Sequence, residues 1–225
     1  MIVFINAFKS ITRSKGRNIT RGAFVGHGAG LEFHPGADTW FDRINAYCAG
    51  IGVQAEHYII SSGLREIIEG SAVYRHFREV FACEFLYDAD NIAVWPKNVV
   101  NYTTKTQFVY RINKGVLNVS DDDALNKYTP ENERHIPFRN MIYIGDGLTD
   151  VPCMRLVKTN GGYSIAVYTD KSKALELLSH GRVNLIAPAN YSEGGELDGF
   201  IKDILLKMSK EDGLAAVSMA QIDEF

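Results

Sequence analysis

Residues 141–150 read Met141-Ile142-Tyr143-Ile144-Gly145-Asp146-Gly147-Leu148-Thr149-Asp150, an apolar run entering Gly-Asp-Gly with a second aspartate four residues on. The run is short and β-prone, as a strand buried in a parallel sheet must be. Gly145 and Gly147 allow a sharp turn and a close approach to a ligand. Asp146 and Asp150 stand at the carboxyl end of the strand, where open α/β sheets bind their ligands. Hard oxygen donors gathered at one point suit Mg²⁺, which takes one or two carboxylates together with substrate phosphate and water. Read alone, the stretch is equally a tight turn in which Asp150 caps the next helix. Its neighbours decide between the two.

Working outward, the chain alternates strands and helices. Pro35-Gly36 marks a turn, and Asp38 caps a helix whose apolar face is Phe41, Ile44, Cys48 and Ile51. His57-Tyr58-Ile59-Ile60-Ser61-Ser62-Gly63 reads as a strand breaking into a small-residue turn, with a helix beginning at Gly63 and carrying Leu64, Ile67 and Ile68. Residues 79–87 form a strand, and Asp88-Ala89-Asp90-Asn91 turns it into a hairpin partner, Ile92-Ala93-Val94-Trp95, halted by Pro96. A helix starts near Thr104 and ends at Gly115. Residues 121–138 are a polar surface connection, with Asp121-Asp122-Asp123 as a solvated helix start. Beyond the Gly-Asp-Gly turn come a helix opened by Val151-Pro152, strands over 164–168 and 183–187, a helix between them that stops at Gly181, and a final helix. In that last helix Leu197, Phe200, Ile201, Ile204, Leu205 and Met208 keep the i, i+3, i+4 stripe. Strands separated by helices predict an α/β fold with a mainly parallel, doubly wound sheet, helices on both faces and a small β-hairpin.

The bulk numbers fit a chain of this kind. The 225 residues suffice for one large α/β core, and 46% hydrophobic with 23% charged residues is ordinary for a globular protein. A net charge of −3 gives no electrostatic case for nucleic acid or an anionic membrane. The three scattered cysteines, Cys48, Cys83 and Cys153, suggest reduced thiols in a cytoplasmic setting, not a disulfide framework or a zinc site. The opening Met1-Ile2-Val3-Phe4-Ile5 is too short to span a membrane and has no basic region before it, so it reads as a strand.

Three features now stand in chain order: Ser61 at a strand end, Lys105 at a helix start, and Asp146 with Asp150 beyond a further strand. On strand ends of one doubly wound sheet they converge on a phosphate. Ser61, with the N–H groups of Ser62 and Gly63, supplies hydrogen bonds, Lys105 a fixed charge, and the aspartates a Mg²⁺ that bridges to phosphoryl oxygens.

This order resembles the haloacid dehalogenase (HAD) superfamily, and within it the phosphoserine-phosphatase-like phosphohydrolases. Ile59-Ile60-Ser61-Ser62-Gly63-Leu64 is similar to the family's second motif, Lys105 matches its third-motif lysine with Lys114 a weaker candidate, and Gly145-Asp146-Gly147-Leu148-Thr149-Asp150 is similar to its fourth. The hairpin between Phe85 and Val99 also occupies the place of a short β excursion in those phosphatases. The resemblance covers roughly residues 35–206 and implies a Rossmann-like core, Mg²⁺ dependence and hydrolysis through a phospho-aspartyl intermediate. On it, residues 35–225 are the HAD-like core, and residues 1–34 are a first strand or the remnant of a cap.

The family's first motif, an apolar strand ending Asp-x-Asp, has no counterpart before Ser61. Asp88-Ala89-Asp90 follows the second motif in a hairpin turn and is rejected as nucleophile. Two readings stay open. Either Ile2-Val3-Phe4-Ile5 is the first strand, with Asn6-Ala7-Phe8 where Asp-x-Asp belongs, or the true first strand lies upstream of Met1. An amide is a far poorer nucleophile than a carboxylate, and Phe8 cannot transfer protons. The expectation is therefore a Mg²⁺-dependent phosphohydrolase acting on a small phosphorylated metabolite, inactive or truncated as it stands, or else a non-catalytic relative that binds a phosphate-bearing ligand or a protein. A dinucleotide-binding oxidoreductase is disfavoured because no Gly-x-Gly-x-x-Gly follows an early strand. In the short candidate cap, residues 7–34, Gly22, Gly26, Gly28 and Gly30 suggest a mobile loop, with His27 and His34 at the surface.

Overall fold

A computed structural model of the chain describes residues 19–223. The elements, in chain order, begin with α1 (Arg21–Gly28), α2 (Ala37–Gly50), β1 (His57–Leu64), α3 (Arg65–Glu69), β2 (Phe77–Tyr87) and β3 (Ala93–Asn98). They continue with α4 (Lys105–Lys114), α5 (Asp122–Asn126), β4 (Ile142–Gly145), α6 (Val151–Thr159), β5 (Tyr163–Tyr168), α7 (Lys171–Ser179), β6 (Leu185–Pro188) and α8 (Glu196–Asp223). The fold is mixed α/β. The chain divides into two units, the first holding the described residues up to Glu32 with Glu56–Phe108, the second Phe33–Ala55 with the described residues from Val109 onward.

In the first unit β1 and β2 pair in parallel and β2 and β3 antiparallel, in the order β1-β2-β3. The Tyr58-Ile59-Ile60 and Val80-Phe81-Ala82-Cys83 runs give the apolar, β-prone surface such a pairing needs. The strand does not break at Ser61 as the sequence suggested. It runs on to Leu64 through a bulge, with Ile60 opposite Phe81 and Leu64 opposite Cys83, so that Ser61-Ser62-Gly63 faces one residue of β2. The helix that follows starts at Arg65, not Gly63, and has five residues. The hairpin lies where expected. Asp88 Oδ1 accepts the N–H groups of Asp90 and Ile92, at 3.0 and 2.9 Å, and Asn91 takes the left-handed conformation at φ 59°. Pro96 does not halt β3, which continues to Asn98. Pro96 stands opposite Phe85 of β2.

The largest departure is α1, where glycines had suggested a mobile loop. Thr20 caps it by accepting the Ala23 N–H at 3.3 Å, and Gly28 and Gly70 let α1 and α3 meet backbone to backbone. A Cβ on Gly28 would lie 2.1 Å from the Ile67 carbonyl oxygen, and one on Gly70 1.9 Å from that of Val25. Gly28 and Gly70 are spacers for packing, whereas Gly22 and Gly26 face open space. His27 and His34 are exposed, as read.

In the second unit β4, β5 and β6 form a parallel sheet in that order, with Ile144 opposite Ile165 and Ala166 opposite Ile186. Successive β5 side chains point to opposite faces. Ile165 and Val167 join Trp40, Ile44 and Cys48 of α2 and Leu197, Ile201, Ile204 and Met208 of α8 on one face. Ala166 joins Val151 and Met154 of α6 and Ala174 and Leu177 of α7 on the other. Helices thus cover both faces of this sheet. Gly36, in the left-handed conformation, holds the cap position of α2, and Asp38 lies in its first turn.

The 121–138 connection carries α5, whose cap Asp121 accepts the Ala124 N–H at 2.9 Å, so the acidic triplet is the helix start it resembled. It is fastened from α4: buried Arg111 donates to the carbonyls of Asn118, Val119 and Asp121 and to the Asp122 carboxylate. Ile2–Ile5 and Asn6-Ala7-Phe8 lie outside the described residues. No disulfide joins the three cysteines, all of which are buried. Among the described residues no helix is long and apolar enough to cross a membrane.

Candidate functional site

The carboxyl end of the second unit's sheet begins at Asp146. It directly follows β4, is exposed, and accepts no hydrogen bond among the described residues, which leaves its carboxylate oxygens open to a ligand. Asp150 is its opposite: only 7% exposed and tied into the turn. Its Oδ1 accepts the Tyr143 hydroxyl at 2.9 Å, its Oδ2 the Gly147 N–H at 3.4 Å, and its own N–H donates to the Gly147 carbonyl at 3.0 Å. The turn fits tightly under Gly145, where a Cβ would lie 2.8 Å from both Asp150 Cβ and Met154 Cε. Burial above all, with Cys153 and the Asp150 carboxylate adding to it, pushes the Tyr143 phenol far above its usual range, so its hydroxyl stays protonated and a donor. The two aspartates therefore differ in kind. Asp146 faces outward, and Asp150 holds the turn; it stands at the head of α6 (Val151–Thr159) but its side chain makes no cap bond to that helix, being turned back to Tyr143 and Gly147.

The same edge of the sheet ends at Tyr168 and Pro188. Asp170, beyond β5, caps α7 by accepting the Ser172 N–H at 3.0 Å and hydroxyl at 2.9 Å, so it is committed to structure. Beyond β6 comes Tyr191, whose phenol is pushed up by burial and by the charge of Asp146. Tyr191 belongs to the surroundings of Asp146, and no sequence motif announced it.

A divalent cation needs oxygen donors with free lone pairs. Asp146 offers both oxygens, whereas Asp150 is already engaged by Tyr143 and Gly147. No cluster of three or more His, Cys, Asp or Glu residues able to hold a metal occurs among the described residues. A pair of carboxylates with the remaining positions filled by water or ligand oxygens matches the way Mg²⁺ is held, and would not serve a structural zinc.

The other predicted residues fall in the first unit. Ser61 lies in the β1 bulge, half-buried, and its Oγ accepts the Gly63 N–H at 2.9 Å. That N–H is therefore not spare for an anion in this geometry, while Ser62 and Gly63 are exposed. No helix dipole is added at Gly63, because α3 (Arg65–Glu69) begins later and is a single short turn. Lys105 opens α4 (Lys105–Lys114) and is 5% exposed, so it is not a solvated surface charge. Its place is fixed by Asn101, whose Oδ1 accepts the N–H groups of Thr103 and Thr104 at 2.9 and 3.1 Å and whose carbonyl accepts the Lys105 N–H at 3.0 Å. Lys114, the weaker third-motif candidate, belongs to the second unit and is spent on the carbonyls of Leu125 and Lys127, at 2.7 and 2.6 Å. Asn6 lies outside the described residues.

Sequence reasoning also missed Glu66. It is 1% exposed, and its Oε1 accepts the Phe85 N–H at 3.1 Å and the Tyr87 hydroxyl at 2.7 Å. It fastens α3 to β2 (Phe77–Tyr87), and nothing in Arg65-Glu66-Ile67-Ile68 separates it from a solvated helix glutamate.

No family model matches the chain. Over 197 residues it is 31% identical to an uncharacterized protein of Borreliella burgdorferi, across 78% of this chain and 67% of that protein. The chain belongs to one family with that Borreliella protein.

Proposed function

We propose that the chain is a HAD-type, Mg²⁺-dependent phosphohydrolase scaffold for small phosphorylated molecules, with the doubly wound, Rossmann-like fold of that superfamily. The observation that carries the proposal is the asymmetry of the Gly-Asp-Gly turn: an open carboxylate at Asp146 beside a buried, hydrogen-bonded one at Asp150. Asp146 would hold the cation directly, with Asp150 behind it. When bound, the cation would neutralise phosphoryl oxygens. A lysine buried at the head of a helix and a serine in a strand bulge supply the charge and the hydroxyl that the resemblance assigns to phosphate binding. Ser61 would give up its bond from Gly63 on binding, freeing that N–H to point at the anion. The buried cysteines without a disulfide suit a reducing, cytoplasmic compartment.

The second reading, a non-catalytic binder of a phosphate-bearing ligand, is favoured by one observation. No Asp-x-Asp precedes Ser61 in this sequence, and Asn6-Ala7-Phe8 stands in its place on only one of the two open readings. Loss of a catalytic nucleophile elsewhere leaves turnover lower by roughly four to six orders of magnitude. The unaltered chain should therefore hydrolyse a phosphomonoester hardly at all with Mg²⁺, and the double change Asn6→Asp with Phe8→Asp should raise turnover in a manner that Asp146→Ala abolishes. No gain, with Mg²⁺-dependent phosphate binding retained, selects the non-catalytic reading. Neither activity nor such binding removes both.

A further inference from the structure

The loop after β6 (Leu185–Pro188) holds Tyr191 from several sides. Its N–H donates to the Pro35 carbonyl at 2.7 Å, its carbonyl accepts Nη2 of Arg43, and its ring meets Trp40 edge-on, centroids 5.8 Å apart. Arg43 is itself fixed, because its Nη1 donates at 2.9 Å to Asp198, a fully buried carboxylate that also accepts Lys202 at 2.8 Å and the Gly194 N–H at 3.1 Å. One polar group stays outside this network. Among the described residues the Tyr191 hydroxyl has no hydrogen-bond partner, and it is not among the polar atoms sealed from solvent.

Its position gives that hydroxyl a use. Neighbouring strands lie about 4.8 Å apart, so the ends of β4 and β6, with β5 between them, are roughly 10 Å apart. Both residues follow the carboxyl ends of their strands on the same edge of the sheet, and the Asp146 charge acts on the phenol. A phenol on the same sheet edge as an open carboxylate, with no bond between them, can donate to a group that binds the carboxylate through a cation.

We propose that Tyr191 is a ligand-binding residue of the Asp146 turn, its hydroxyl donating to an oxyanion of the phosphate class that reaches Asp146 through a divalent cation. This rests on the reading of that turn as a cation site, and it adds a group that no motif of the resemblance supplies. The test is calorimetry on the full chain, first with Mg²⁺ and then with inorganic phosphate at saturating Mg²⁺, for the unaltered protein, Tyr191→Phe and Asp146→Ala. The phenylalanine keeps the ring and its contact with Trp40, so Tm and the Mg²⁺ heat should be unchanged. Phosphate affinity should fall about tenfold or more, as for one hydrogen bond to a charged group. Unchanged phosphate affinity in Tyr191→Phe, with Mg²⁺ and Asp146 still required, would remove the tyrosine and leave the cation reading standing. A joint loss of Tm, Mg²⁺ and phosphate binding would make Tyr191 structural and overturn the proposal. No Mg²⁺-dependent phosphate binding by the unaltered chain would overturn both.

Discussion

Asp146 and Asp150 are the same residue type four positions apart, and burial alone separates their roles. A carboxylate under a tyrosine hydroxyl and a backbone N–H is fixed in place, and one facing water is free to bind. The same physics acts on His57, at the start of β1 (His57–Leu64). Burial, reinforced by the nearby His76, pushes its imidazole down to about 4. The unfolded chain takes up a proton near the ordinary value of about 6.5, while the folded one resists until about 4. His57 therefore contributes nothing to the pH dependence of stability above that window and removes stability as pH falls through it. Partial exposure limits the loss to roughly 2 kcal/mol. Urea unfolding at pH 7 and pH 4.5 should show this loss in the unaltered chain and a smaller one in His57→Asn. Equal losses would show that the imidazole is not the group responsible.

At the level of elements, legibility followed from how each one is stabilised. The second unit's strands and helices were readable because their apolar periods are those of a sheet covered on both faces: Ile142 and Ile144 against Tyr143, Ile165 and Val167 against Ala166. The helix α1 (Arg21–Gly28) was not, because close backbone approach through Gly28 and Gly70 stabilises it and no apolar stripe announces it. Likewise Arg111 and Glu66 look like solvated helix charges until their own burial and their partners are known. The glycines of this region give a paired prediction. Gly70→Ala would drive a methyl into the Val25 carbonyl, a contact that cannot be relieved by a rotamer, and should cost about 1–3 kcal/mol. Gly26→Ala, within the same helix but with open space around its Cβ, should stabilise by about 0.5–1 kcal/mol. Denaturant midpoints moving in opposite directions would bear this out. Midpoints moving together would mean that α1 does not pack as described.

For the molecule as a whole, sequence reading foresaw one sheet carrying every site residue, and the structure divides its strands between two units. Ser61 and Lys105 belong to the first, Asp146 and Asp150 to the second. The Gly-Asp-Gly turn was legible because its glycines and carboxylates sit at fixed spacing on a short apolar strand. Tyr191 was not, because it lies in a separate loop after β6 and shares no spacing with the turn. The claim on which the functional reading depends is that the turn holds a divalent cation through Asp146. Titration calorimetry with Mg²⁺ tests it most directly, on the unaltered chain and on Asp146→Ala with Tm measured alongside. A binding heat in the unaltered chain that vanishes in Asp146→Ala at unchanged Tm is the predicted result. Equal heats from the two proteins, or none from either, would contradict it.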